Sequence, residues 1–242
     1  MKSHSVLREY LSLVVEKVRS KRAVKTKWGS PTFNIREFQG LPSSEIMIVY
    51  AMNYLEPLGT GSSRIAFVLT PRKVLKIARN AKGIAQNQAE EQVYTDPATS
   101  DVAARIHDAD VEGRWIIADL VRPLTSTKEF EQLTGVSWSD FGIDLAGTIS
   151  KLARERGFKL RNDAPEFTKK VIDMAEKGTA KLKMADLLVL DHWGKTPDGR
   201  VVILDYGYTE DVAMKHYPKA QQNQNDDQAT RGKPAPDEII TK

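Results

Sequence analysis

Lys76 stands in the middle of Val74-Leu75-Lys76-Ile77-Ala78, and few features of this 242-residue chain limit its fold more. A short run of aliphatic residues after a turn reads as a buried strand. An ammonium group there either snorkels to a strand edge or is held by an opposite charge. The turn before it is Thr70-Pro71-Arg72-Lys73, with Pro71 at its favoured second position. Arg64 to Leu69 reads as the strand on the other side of that turn. After Ala78 the period changes, and residues 81–94 read as a helix carrying Glu90 and Glu91, 14 and 15 residues beyond the lysine. The sharper reading of Lys76 is an anion-binding lysine held by a carboxylate of that helix.

The rest of the chain falls into two halves. Residues 45–58, EIMIVYAMNYLEPL, read as extended, and Val102–Ile106 and Trp115–Ala118 as two further strands. Residues 45–121 are therefore expected to form an antiparallel sheet with one inserted helix. Beyond Pro123 the pattern turns helical. Trp138 to Arg156 is one candidate, stopped by Gly157, and Pro165 to Lys177 is a second, with Gly178 just past its end. Leu187–Leu190 and Val201–Leu204 read as strands on either side of the turn Thr196-Pro197-Asp198-Gly199. A β-rich half followed by a helical half predicts an α+β fold of two lobes, with residues 45–121 and 122–217 as their bounds.

Charge separates the termini from this body. Residues 1–28 carry eight basic and two acidic side chains, a balance of +6, while the whole chain is +4 and the rest is −2. The basic character belongs to one arm. In it Val6, Leu7, Tyr10, Leu11, Val14, Val15 and Val18 recur at helical spacing, so residues 5–22 are expected to form an amphipathic helix, the main feature of a segment running to residue 44. Residues 218–242 are polar, rich in Gln, Asn and Asp, and are expected to be a disordered tail. The chain has no cysteine, which excludes disulfides, Cys-ligated metals and thiol nucleophiles. His4, His107, His192 and His216 show no metal-ligand spacing. No apolar run approaches the roughly 18–20 residues that span a bilayer, and a cytoplasmic protein is expected.

Two further patterns carry chemistry. Gly59-Thr60-Gly61-Ser62-Ser63 lies between two expected strands. It lacks the Gly-Lys-Ser/Thr ending of a Walker loop, and Arg64 replaces the third glycine of a dinucleotide fingerprint. What remains is a glycine hairpin, either a plain turn or one whose backbone amides approach a phosphate. Asp205-Tyr206-Gly207 follows the four aliphatics Val201–Leu204, and with Asp186 and Asp191 it borders one hairpin with three carboxylates. Oxygen ligands of this kind suit Mg²⁺, which is bound through one or two carboxylates plus phosphate oxygens.

The order of these pieces resembles the protein-kinase-like fold, whose set runs glycine loop, strand lysine, helix glutamate, catalytic-loop Asp and Asn, then Asp-Phe-Gly. Residues 58–67 resemble the phosphate-covering loop, Val74–Ile77 the strand of the ATP lysine, and Glu90 its partner, with Glu91 the alternative. Trp115–Val121 resembles the strand into the interlobe hinge, where Asp119 and Val121 would meet adenine. Asp186-Leu187-Leu188-Val189-Leu190-Asp191 keeps the Asp-x4-Asn spacing, and Asp205-Tyr206-Gly207 resembles the metal-binding motif with one ring changed. Met184-Ala185 stands where His-Arg is expected, Asp191 where Asn is expected, and the helical lobe is short, as in a compact microbial or phage-like relative.

The resemblance implies an ATP- and Mg²⁺-dependent phosphotransferase acting on a protein or small-molecule hydroxyl. Gly59, Thr60, Gly61, Ser62 and Ser63 would cover the phosphates. Lys76, held by Glu90, would contact them, Asp191 and Asp205 would hold the metal, and Asp186 would be the catalytic base. A non-catalytic relative, binding nucleotide or a protein partner as a scaffold, is the first alternative. A nucleic-acid-binding protein working through the basic arm is the second.

Overall fold

The structure, a computed structural model, describes residues 32–97, 99, 101–149, 160–178 and 181–217. The expected basic helix at 5–22, the tail at 218–242 and the end of the helix expected to reach Arg156 lie outside the described residues. The fold is α+β with an antiparallel sheet.

Two helices, α1 (Ile35–Gln39) and α2 (Ser44–Tyr54), precede the first strand. Helix α2 corrects the extended reading of residues 45–58. Ser43 accepts a hydrogen bond from the Ile46 N–H as N-cap, and Glu45 complements the first turn. Met47 and Ala51 are buried four residues apart on one helical face, and Leu55, the C-cap, joins the same core. An apolar run is ambiguous by period alone. The cap and the sheet that α2 covers decide it.

The sheet follows: β1 (Glu56–Thr60), β2 (Arg64–Thr70), β3 (Lys73–Ala78), β4 (Ile106–Ala109) and β5 (Trp115–Asp119), in the order β1-β2-β3-β5-β4, with all pairs antiparallel. Helix α3 (Ala81–Thr95) is inserted after β3. Strand side chains alternate between faces. Ile65, Phe67, Leu75, Ile77, Trp115 and Ile117 face one core with Phe38, Met47 and Ala51 of α1 and α2. Val74, Ile116 and Ala118 face a second core shared with α3 and the helical half. Arg64 and Lys76 lie on this second face, because Ala66 pairs with Lys76 and Arg64 with Ala78.

Residues 102–104, expected as strand, pair instead with the far half of the chain. Ala104 N–H donates to Ile203 C=O (2.9 Å), and Ile203 N–H to Val102 C=O (2.8 Å). The strand proper begins only at Ile106.

The helical half contains β6 (Arg122–Pro123), α4 (Thr127–Thr134), α5 (Trp138–Ile149), α6 (Glu166–Lys177), α7 (Met184–Leu187), a 3₁₀ turn (Leu190–His192), β7 (Trp193–Lys195), β8 (Val201–Ile203) and α8 (Glu210–His216). Strands β6, β7 and β8 form a small second sheet. Leu187–Leu190, expected as a strand, is the end of α7 and the start of the 3₁₀ turn. Four aliphatics give too short a window for period to decide. Leu187 is fully buried while Val189 is exposed. Beneath it Phe130, Phe141, Phe167 and Trp193 form a ring cluster with centroids 5.1–6.2 Å apart. Trp193 Nε1 donates to Leu187 C=O at 2.9 Å, so the cluster fixes the backbone beside Asp186.

Candidate active site

Helix α3 presents an unusual buried face to the sheet: Gln86, Asn87 and Glu90 are all buried polar residues. Buried charge has to be compensated, and both sheet cations meet Glu90. Lys76 Nζ lies 2.7 Å from Glu90 Oε2, and Arg64 Nη1 lies 2.6 Å from Glu90 Oε1. Glu90 is fully buried, whereas Glu91, one residue and about 100° further round the helix, is not. The carboxylate is thus saturated by two cations on its two oxygens. Lys76 also donates to Leu204 C=O at 2.8 Å, which accounts for two of its three N–H bonds.

Arg64 continues the chain of charge. Its Nη1 also donates to Asn87 Oδ1 (3.3 Å), and its Nη2 lies 2.7 Å from Asp205 Oδ1. The network Lys76–Glu90–Arg64–Asp205 holds two positive and two negative groups and spans the sheet, α3 and the end of β8. Partial burial works to raise the Asp205 carboxyl, but Arg64, Lys76 and His192 outweigh it and hold it well below the ordinary aspartate range. Burial works against the charge of Arg64, and Glu90 and Asp205 more than reverse this.

Arg64 is the site residue that sequence reasoning missed, since its place in the strand after the glycine loop carries no sign of a charged partner. The available signal was strand parity, since pairing across the Thr70–Lys73 turn puts Arg64 on the face of Lys76.

Asp205 follows β8, and the next two residues lock its position. Tyr206 is buried and its hydroxyl donates to Ala104 C=O at 2.7 Å. Burial raises that phenol well above its usual range. Gly207 packs against α3 so closely that a Cβ there would lie 2.7 Å from Gln86 C=O. A glycine is required by that approach.

The glycine loop is tied to the start of α3. Gly61 N–H donates to Arg64 C=O (2.9 Å), closing the turn between β1 and β2. Arg79 Nη1 donates to Gly61 C=O (2.6 Å), Asn80 Nδ2 to Ser62 C=O (3.0 Å) and Arg79 N–H to Ser63 C=O (2.8 Å). Ser63 Oγ donates to Gln86 Oε1 at 2.6 Å inside the protein. Gly59, Thr60, Gly61 and Ser62 are exposed, and Ser63 is buried.

Asp186 lies in the first turn of α7, in a segment that pairs with residues 208–210 through the Leu182–Thr209 bridge and the Glu210 N–H to Lys181 C=O bond. Its C=O receives a hydrogen bond involving His192 Nδ1 at 3.1 Å. Burial raises the Asp186 carboxyl to about 6; His192 and Arg64 oppose the rise and Asp205 adds to it. Asp186, His192 and Asp205 are thus coupled through their charges. Asp191 is exposed on the 3₁₀ turn. At the expected hinge, Asp119 N–H donates to Arg105 C=O (2.8 Å), Leu120 N–H to Arg72 C=O (2.9 Å), and the Asp119 carboxylate pairs with His107 on β4 at 2.7 Å. Val121 is buried.

Among the described residues no group of three or more His, Asp or Glu is placed to hold a metal ion. The donors suit a different arrangement. Asp205, with its side chain about half exposed, keeps one oxygen beyond the Arg64 contact. One or two carboxylates plus phosphate oxygens are how Mg²⁺ is usually held, and an aspartate oxygen is the donor type that ion takes.

No protein-family model and no curated protein matches this chain. Among solved structures it is similar to SAICAR synthase from Saccharomyces cerevisiae in complex with SAICAR, at 11% identity over 75% of this chain and 88% of that one, with a TM-score of 0.34. It is similar to a further SAICAR synthase structure at 13% identity over 63% and 72%, with a TM-score of 0.33. Both scores lie below one half, so the likeness assigns neither fold nor reaction. Among the described residues no helix is long and apolar enough to cross a membrane.

Proposed function

We propose that this chain is a two-lobed, protein-kinase-like phosphotransferase that moves phosphate from ATP to a hydroxyl group of a protein or small molecule. The observation that carries the reading is the ion pair of Lys76 and Glu90 in contact, through Arg64, with Asp205. A strand lysine held by a buried helix glutamate, beside an aspartate at a strand end, suits the electrostatic positioning that phosphoryl transfer needs. Lys76 would direct its remaining N–H at a phosphate oxygen. Asp205 and Asp191 would hold Mg²⁺, which when bound would neutralise charge developing on the phosphates. Asp186, raised to about 6 by burial, would accept the proton of the acceptor hydroxyl near neutral pH. The exposed residues Gly59–Ser62 would cover the phosphates, and the segment from Asp119 to Val121 would meet adenine.

One observation favours a second reading. Arg64 occupies an oxygen of the proposed metal-binding Asp205, which suits a protein that binds nucleotide without transferring phosphate and works as a scaffold.

Thermal denaturation with and without Mg-ATP, followed by transfer of radiolabelled phosphate, tests both. A rise in melting temperature together with transfer that Asp186→Ala abolishes supports the enzyme. A rise without transfer supports the scaffold. No rise removes nucleotide from either reading.

A further inference from the structure

Resting on the nucleotide-site reading above, we infer that Arg64 neutralises Asp205 in place of a divalent cation, so that this site takes up nucleotide without metal. Three observations converge. The Arg64 guanidinium lies 2.7 Å from Asp205 Oδ1, 2.6 Å from Glu90 Oε1 and 3.3 Å from Asn87 Oδ1, so three acceptors on two elements hold it in place. Its side chain is only 10% exposed. In that setting the pair is screened by salt far less than a surface bridge.

The third observation is the charge count. Lys76, Arg64, Glu90 and Asp205 sum to zero. With the arginine removed, Lys76 would face two carboxylates, and a polyphosphate arriving at the lysine would meet a half-exposed carboxylate that has lost its guanidinium partner. A magnesium ion would then be needed to bring the phosphates in. With Arg64 in place the protein supplies that charge itself. The arginine also shares Glu90 with Lys76, which leaves the ammonium incompletely neutralised and able to attract phosphate. Asp205 and Asp191 would then hold Mg²⁺ for transfer rather than for binding.

The test is calorimetric titration of the full chain with ATP in excess Mg²⁺ and again in EDTA. For the unaltered protein the two dissociation constants should agree within about threefold; Arg64→Gln should bind in Mg²⁺ but at least about tenfold more weakly in EDTA. Arg64→Lys keeps the charge and should keep binding in EDTA, with circular dichroism confirming that each variant is folded. If the unaltered protein binds only with Mg²⁺, the inference is overturned and the nucleotide-site reading stands. If it binds in neither buffer, both fall. If Arg64→Lys behaves like Arg64→Gln, or Arg64→Gln like the unaltered protein, charge is not what the guanidinium contributes and the inference fails. The comparison on the unaltered protein decides the matter even if neither variant folds.

Discussion

Arg64 Nη1 and Glu90 Oε1 meet at 2.6 Å, on the one Glu90 oxygen that Lys76 leaves, and they join residues 26 positions apart across a strand and a helix. The pair turns what looks like a lysine–glutamate contact into a four-membered network that reaches Asp205. Removing one partner of a buried pair leaves an uncompensated charge, a far larger loss than that of a surface bridge.

Glu90 is therefore the most sensitive member. Glu90→Ala would leave Lys76 and Arg64 facing each other across a buried gap. We expect a loss of about 3–5 kcal/mol, read by urea denaturation. Glu91→Ala, one residue on and not fully buried, should stay within about 0.5 kcal/mol of the unaltered protein. Equal losses for the two would show that the network does not hold the fold.

Lys76→Ala should abolish the ATP-induced rise in melting temperature even in molar excess of nucleotide. Retention of the full rise would remove the lysine from the site.

On the proposed reading, Asp186 would link pH to both activity and stability. Its carboxyl is raised to about 6 by burial. Transfer should therefore fall as pH drops through about 6, because the protonated acid cannot accept a proton. The sign for stability is opposite. Between the usual aspartate value, about 4, and 6 the folded protein binds more protons than the unfolded one, so this group's contribution declines as pH rises through that window. Asp186→Asn should lose transfer, keep ATP binding and melt at a higher temperature at pH 7. A lower melting temperature there would contradict the burial argument.

Close approach of backbone gives a packing test. A Cβ on Gly83 would run into Ser63 C=O, and one on Gly207 into Gln86 C=O, whereas one on Gly59 meets nothing within 4 Å. Gly83→Ala and Gly207→Ala should each cost about 1–3 kcal/mol, the usual range for overpacking. Gly59→Ala, on a strand exposed along its whole length, should leave the melting curve nearly unchanged.

Trp193→Phe should keep most of the ring cluster but strip the donor from Leu187 C=O. The cost of a buried carbonyl left unpaired is about 1–3 kcal/mol. Because Leu187 adjoins Asp186, transfer should fall by more than the stability loss explains. Unchanged turnover in the folded variant would show that the tryptophan does not position Asp186.

Local sequence carried several of these features by itself. Lys76 within five residues of aliphatic strand, a helix beginning at residue 81, the turn at Thr70–Lys73 and the aspartate after Val201–Leu204 are short-range patterns, and the structure has each of them. Periodicity and turn chemistry are local properties, so a local reading finds them. Where the pattern was a short or uniform apolar run, as at 45–58 and 187–190, period could not choose, and the covering sheet and the Trp193 cluster did.

The contact that defines the site was beyond such a reading. Arg64 and Asp205 are 141 residues apart, and their 2.7 Å pairing exists only because Ile203 bonds to residues 102–104 and Gly207 lets its strand end press against α3. The sequence determined which charges would be buried and so had to be matched. Only the tertiary structure decided the matches, giving Glu90 two cations and Asp205 a guanidinium, because a buried charge sets a demand that any partner of the right sign can meet and packing alone selects which one arrives.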